Sequence, residues 1–276
     1  MLLISPVFPA RPARAATVPA VTPTYAWLFD DGSGSTLTAE VGGHDGNLVN
    51  GPSWSSEVPF SYAGNGSLYF DGGNQYVDVP SLDHALEGWT DFTLSIWIRS
   101  DLDYQDRAMW SGQEPGNDDS FNIRYDKAGW LSNGNTENLI KFGMHLDGVE
   151  YQYESAEFTQ EAGQWQQLIW TWENGVGLRL YIDGVLDVPT ATTFTGVNGA
   201  LSDQPRFIIA DGAKGLWQGN IDELMIWNDS LEQEEVDWMA STTGALMVPE
   251  PGSGLLVTSG LLLLAASARM PRLRRS

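Results

Sequence analysis

The stretch DFTLSIWIR (residues 91–99) alternates strictly: Phe92, Leu94, Ile96 and Ile98 fall on one side of an extended chain, Thr93, Ser95 and Trp97 on the other. A period of two marks a β-strand with one face in a core. Farther along, QWQQLIWTW (164–172) places Leu168, Trp170 and Trp172 on one face and Trp165 and Ile169 on the other. A strand apolar on both faces belongs in the middle of a sandwich, between the core and a covered or ligand-facing surface. GLRLYIDG (177–184) is a further strand, closing in Asp183-Gly184, a hairpin signal.

Further strands fit near 25–29, 67–70, 75–79, 119–125, 138–146, 150–155, 206–210 and 218–228. Only LEQEEVDWMA (231–240) carries helical spacing, with Leu231, Glu234/Glu235 and Trp238 at i, i+3/4 and i+7. Strands at this density, without β-α-β alternation, predict an all-β sandwich of one domain over 25–243, with no internal repeat and no second core.

Charge divides the 276 residues into three parts. Residues 25–243 hold every acid except Glu250 and all but six of the bases, 35 against 8, a net of −27; the whole chain carries −22. So acidic a body argues against nucleic acid, which needs a basic surface to release counterions. The absence of cysteine excludes disulfides, thiolate metal sites and cysteine nucleophiles.

The flanks are of another character. Residues 1–15 hold a short apolar stretch and Ala13-Arg14-Ala15, an A-x-A cleavage signal, and read as a truncated signal peptide. The basic n-region is missing, so the expected start lies upstream. Residues 16–24 read as a Thr/Pro linker. At the other end Pro249-Glu250-Pro251 breaks secondary structure, and a charge-free apolar run follows over 252–268. Its length reaches the lower limit for a membrane-spanning helix. Arg269, Arg272, Arg274 and Arg275 come next, which the positive-inside rule places in the cytoplasm.

This tripartite tail, residues 248–276, resembles the PEP-CTERM sorting signal of exopolysaccharide-producing bacteria. The resemblance implies export, transient anchoring in the inner membrane by the C-terminal helix, processing by an exosortase near Pro249-Glu250-Pro251, and a final place at the cell surface or in the extracellular matrix.

The body has a resemblance of its own. YAWLFDDGSG (25–34), GHDG (43–46), NGPSW (50–54), SLYFDGGNQYVDV (67–79), GQWQQL (163–168), LYIDGV (180–185) and GNIDELMIW (219–227) resemble, in order, the blocks of LamG-like jelly-roll domains. The implied fold is the concanavalin A-like sandwich of two antiparallel sheets with one short C-terminal helix. The stretch 100–160 departs most from the pattern and is expected to form the variable loops and concave face.

Relatives of this fold include glucanases. Retaining glycoside hydrolysis needs two carboxylates about 5 Å apart, which on this fold project from one strand as Glu-x-Asp-x-x-Glu. None of the 36 acids forms that pattern on an expected strand. Asp222 and Glu223 are adjacent and would point to opposite faces; Glu234, Glu235 and Asp237 read as the solvated side of the helix. His44, His84 and His145 sit by turn glycines or in loops, and no serine stands in a nucleophile elbow. The expectation is a protein without catalysis, and hence without catalytic residues.

The resemblance also implies a structural calcium, which takes six to eight oxygens from carboxylates and carbonyls. Asp222 occupies the matching position, with contributions near Asp30 and from the turn at Asp71. The alternative is that Asp222 only accepts hydrogen bonds from turn amides. For glycans, Trp or Tyr faces would stack on sugar rings. Trp27, Trp97, Trp165, Trp170 and Trp227 lie in patterned blocks and read as core. Trp110, Trp130 and Trp217 lie in less patterned segments and are the candidate glycan platforms, or else caps on the sandwich end. The expected function is binding or adhesion at the cell surface, to a polysaccharide ligand; the alternatives are a structural matrix protein without a ligand, or a glycoside hydrolase-like enzyme.

Overall fold

The computed structural model describes residues 22–59, 64, 66–102, 105–112, 121–128, 131, 137–212 and 215–241. In chain order the strands are β1 (Tyr25–Trp27), β2 (Thr36–Leu37), β3 (Gly46–Val49), β4 (Ser53–Ser55), β5 (Ser67–Asp71), β6 (Tyr76–Asp78), β7 (Asp91–Ser100), β8 (Arg107–Ser111) and β9 (Phe121–Ala128). They continue as β10 (Glu137–Leu146), β11 (Val149–Glu154), β12 (Trp165–Glu173), β13 (Gly177–Ile182), β14 (Val185–Leu186), β15 (Ala191–Thr192), β16 (Ile208–Ile209) and β17 (Gln218–Trp227), with helix α1 (Gln233–Ser241) last.

They form two sheets whose ladders are antiparallel. Eight strands lie in the order β14-β13-β12-β7-β17-β5-β4, with β1 added to the far half of β17. Nine lie in the order β15-β11-β10-β9-β8-β16-β6-β3-β2. This is the expected all-β two-sheet sandwich with a short C-terminal helix, an arrangement that fits a jelly roll.

The period-two faces meet between the sheets. Phe92, Leu94, Ile96 and Ile98 of β7 and Leu168, Trp170 and Trp172 of β12 pack against Phe121, Ile123, Ile140 and Phe142 of the facing sheet. Ring centroids lie 5.8 Å apart for Phe92–Trp172 and 5.0 Å for Phe142–Trp170, within the range of favourable aromatic pairs.

The second apolar face of β12 is covered as well. Ile169 joins Ala26, Met225 and Trp227 beneath Leu231, Val236 and Met239, so α1 lies on the outer face of the eight-stranded sheet. The helix starts two residues later than Leu231 for a local reason. Leu231 N–H donates to Thr93 Oγ1 (2.8 Å), tying that residue to β7. Glu232 then receives the Glu235 carboxylate on its N–H (2.8 Å), the reach-back half of a capping box.

Short strands account for what the periodicity passes over: β2, β4, β14 and β15 have two or three residues each. In β8 the register with β9 shifts between Ala108 and Trp110, a bulge that breaks alternation. Among the described residues no helix is long and apolar enough to cross a membrane. The signal segment 1–15, the apolar span 252–268 and the sorting residues Pro249, Glu250, Pro251, Arg269, Arg272, Arg274 and Arg275 lie outside the described residues.

Candidate functional site

The tryptophans expected as glycan platforms take other places. Trp110 and Trp217 are both 0% exposed. Trp110, in β8, packs on Phe121 at 4.3 Å and Phe207 at 4.7 Å between ring centroids. Trp217 lies edge-on to Tyr125 at 5.2 Å, and its backbone N–H donates to Ala210 O (2.8 Å). Both are core residues, and neither offers a ring face to a sugar; the β8 bulge and the single-residue approach to β17 hid their strand-like placement. Trp130 lies outside the described residues.

Of the three aspartates expected at calcium, two are neighbours. Asp222, on β17, is 0% exposed; its Oδ1 accepts from Glu223 N (2.9 Å), while Oδ2 has no hydrogen-bond partner. Burial, then the adjacent Glu223 carboxylate, hold the Asp222 carboxyl well above the usual carboxylate range, and Asp30 pushes in the same direction. Glu223, at φ +46°, sits in the bulge where the β17–β7 register shifts. Asp30 Oδ1 accepts from Gly66 N (3.2 Å), and a Cβ on Gly66 would come within 3.2 Å of Phe29 O and 3.3 Å of Ser55 O. A Cβ on Gly64 would strike the Asp30 carboxylate, so the chain passes close over these oxygens.

Asp71 is not part of this group. It pairs with Gln218, four residues from Asp222 on β17, about 13 Å at ~3.3 Å per residue. Its Oδ1 closes its own turn by accepting from Gly73 N (2.8 Å). Among the described residues no cluster of three or more metal-ligating side chains occurs, so any ion here would lean on main-chain carbonyls.

The outer face of the nine-stranded sheet carries a charged network that sequence spacing does not reveal. Phe121, Ile123 and Tyr125 of β9 point into the core, so Asn122, Arg124 and Asp126 point out. Lys141 of β10 stands opposite both Arg124 and Glu154. Its Nζ lies 3.0 Å from Asp126 Oδ2 and 3.4 Å from Glu154 Oε1. Arg124 Nη2 lies 3.3 Å from the same Asp126 oxygen, and its Nη1 donates to Asn122 Oδ1 (3.1 Å). Leu131 N–H donates to Glu154 Oε1 (2.6 Å). The side chains of Lys141, Asp126 and Glu154 are 4%, 9% and 0% exposed.

Asp126 and Glu154 are therefore a close carboxylate pair from two strands, bridged across β10 by one ammonium. A search along single strands cannot find such a pair. Among the described residues, two cations, Lys141 and Arg124, face these two carboxylates.

An open cleft of about 460 Å³ lies where the chain crosses between the sheets. Gly72 from the β5–β6 turn, Gln105 and Asp106 from the β7–β8 connection, Arg107 of β8, Lys127 of β9 and Leu216 before β17 line it. Arg107 Nη1 donates to Gly72 O (3.0 Å) and Leu216 O (2.8 Å). Gln105 is held by its Nε2 on Ser100 Oγ, and its Oε1 is buried without a hydrogen-bond donor.

Comparison with known proteins places this geometry. A family model described as the concanavalin A-like lectin/glucanases superfamily matches residues 71–237. No curated protein matches the chain. Among solved structures, Domain 4 of AbnA, a GH43 extracellular arabinanase from Geobacillus stearothermophilus in complex with arabinotriose, aligns over 79% of this chain and 98% of its own, at 19% identity and a TM-score of 0.56. Trypanosoma rangeli sialidase in complex with the inhibitor DANA aligns over 86% of this chain at 18% identity and a TM-score of 0.55. The alignment spans 35% of the sialidase chain. At these identities the likeness is one of fold.

Proposed function

The chain belongs to the concanavalin A-like lectin/glucanases superfamily, and from that premise we propose that it is an exported saccharide-binding protein of the cell surface or matrix that performs no hydrolysis. The observation that carries this reading is the Asp126–Lys141–Glu154 bridge. The close carboxylate pair on the outer face of the nine-stranded sheet is sealed from solvent and neutralised, which favours a scaffold over a proton-transfer centre. The likeness to Domain 4 of the arabinanase, a domain whose complex holds arabinotriose, supports a saccharide as ligand. The proposed route outward is the tail at 248–276, with exosortase acting near Pro249-Glu250-Pro251. A glycan array probed with the full chain tests the reading. Retention on a defined set of saccharides, with no reducing ends released from them, is the expected result. A flat array would leave a structural matrix protein, and released reducing ends would make the protein a hydrolase.

A structural calcium belongs to the same proposal. The buried Asp222 Oδ2 without a partner, Asp30 beside it, and the carbonyls of Phe29 and Ser55 meeting at Gly66 are hard oxygen donors that suit this ion. Asp222 and Asp30 would hold it together with those carbonyls, and its charge would offset the buried carboxylates; Asp71 is too distant to take part. In chelator, Asp222 keeps its proton in the folded state up to its raised pKa. Stability is then full below the ordinary carboxylate range and falls as pH rises through the raised value. Chelator at neutral pH is expected to lower the wild-type melting midpoint by several degrees and to leave Asp222→Asn unmoved. A wild-type midpoint indifferent to chelator removes calcium from the proposal.

A further inference from the structure

We infer that the cleft between Arg107 and Lys127 binds a carboxylated saccharide, with the sugar carboxylate set against these two cations; the inference rests on the saccharide-binding reading above and specifies its ligand. The argument begins with how the body spends its few cations. Of its eight, five lie within 4.0 Å of a carboxylate: Arg99 with Asp101, Arg124 and Lys141 with Asp126, Arg179 with Glu173, and Arg206 with Asp78. Lys214 lies outside the described residues. The two that remain, Arg107 and Lys127, have no carboxylate partner among the described residues, and both line the same cleft. In a body with 35 acids, two cations in one cleft without a carboxylate partner among the described residues are the opposite of what surface pairing would produce.

Arg107 is also pre-set. Its Nη1 is held by two main-chain carbonyls from opposite walls, Gly72 O and Leu216 O. That fixes the guanidinium plane and leaves Nε and Nη2 without an acceptor among the described residues. Such a fork matches the two oxygens of a carboxylate. Gly72 makes the grip possible: its φ is +75°, and a Cβ there would lie 2.1 Å from Arg107 Nη1. Asp106 on the same wall brings the formal charge of the lining to a single positive unit, which suits one carboxylate better than a phosphate dianion. The buried Gln105 Oε1 supplies an acceptor for a sugar hydroxyl. A volume of about 460 Å³ falls within the ~300–1,000 Å³ of small-ligand sites. The acidic body repels an anion from afar, but this repulsion is screened beyond about 8 Å at physiological salt, inside which the two cations dominate.

The test is calorimetric titration of the full chain with an oligogalacturonate, its methyl ester and a sulfated dextran. The acid form is expected to bind about tenfold tighter than its methyl ester, the worth of one charged hydrogen-bonded contact. Lys127→Glu is expected to abolish that preference without moving the melting midpoint, since Lys127 is exposed. Arg107→Lys is expected to weaken binding while keeping the charge, because the fork is lost. If acid and ester bind alike, or if Lys127→Glu changes nothing, the inference falls while saccharide binding stands. If no saccharide binds at all, both fall. Sulfated dextran bound as tightly as the acid and lost equally in Lys127→Glu would overturn the carboxylate assignment in favour of sulfate esters.

Discussion

Lys141→Met is expected to lower the stability of the domain by about 3–5 kcal/mol, the cost of leaving a buried carboxylate without its cation. Methionine preserves the aliphatic stem and its packing, so the loss isolates the ammonium. Without Nζ, Glu154 (0% exposed) loses the ammonium 3.4 Å from its Oε1, while Asp126 still has Arg124. The midpoint in urea should fall with an unchanged slope, and the melting temperature should drop by about 10 °C for a domain of this size. Adding Glu154→Gln should recover half of the loss or more, since Arg124 and Asp126 then remain as a balanced pair. Such non-additivity is the mark of coupled charges. A loss under about 1 kcal/mol would mean that the network is solvated, with interactions worth no more than surface pairs. The bridge would then no longer argue for a sealed scaffold.

Gly219→Ala is expected to cost at least about 3 kcal/mol, from left-handed strain together with backbone overpacking. Gly219 stands in β17 at φ +135°, opposite Phe70 and Ser100. A Cβ there would lie 2.0 Å from Arg99 O and 3.0 Å from Ser100 Cα, all backbone atoms of β7. No rotamer relieves such a contact, so β17 must separate from β7 at the centre of the eight-stranded sheet. Equilibrium denaturation measures the cost. Amide exchange along Ile98–Ser100 should quicken if the ladder opens there, whereas a variant as stable as the wild type would show that the strands shift apart freely.

These two sites mark the limit of what local pattern conveys. The period-two runs at 91–99 and 164–172 marked β7 and β12 and which residues face the core, because alternation along an extended chain is a local property. The double apolar face of β12 left its second side either covered or ligand-facing, and α1 covers it at Ile169. Gly219 stood inside a recognisable block, yet its need for a missing side chain comes from Arg99, which only strand pairing brings close.

Trp110 shows how local pattern fails. A bulge in a five-residue strand erased the alternation that would have marked it as core. Asp71 shows the complementary failure: the family resemblance made it a companion for Asp222, but the β5–β17 register sets them four residues apart. Asp126, Lys141 and Glu154 come from three strands, and Arg107 and Lys127 from two, with no spacing in the chain to announce either group.

By itself, then, the sequence determined an acidic all-β sandwich, the faces of its long strands and the helix that closes it, since each follows from periodicity within ten residues or so. Only the tertiary structure decided which tryptophans are buried, which carboxylates share a cation and which two cations have no carboxylate partner among the described residues. Those depend on register and on where connections cross between sheets, and a shift of one residue would exchange every neighbour.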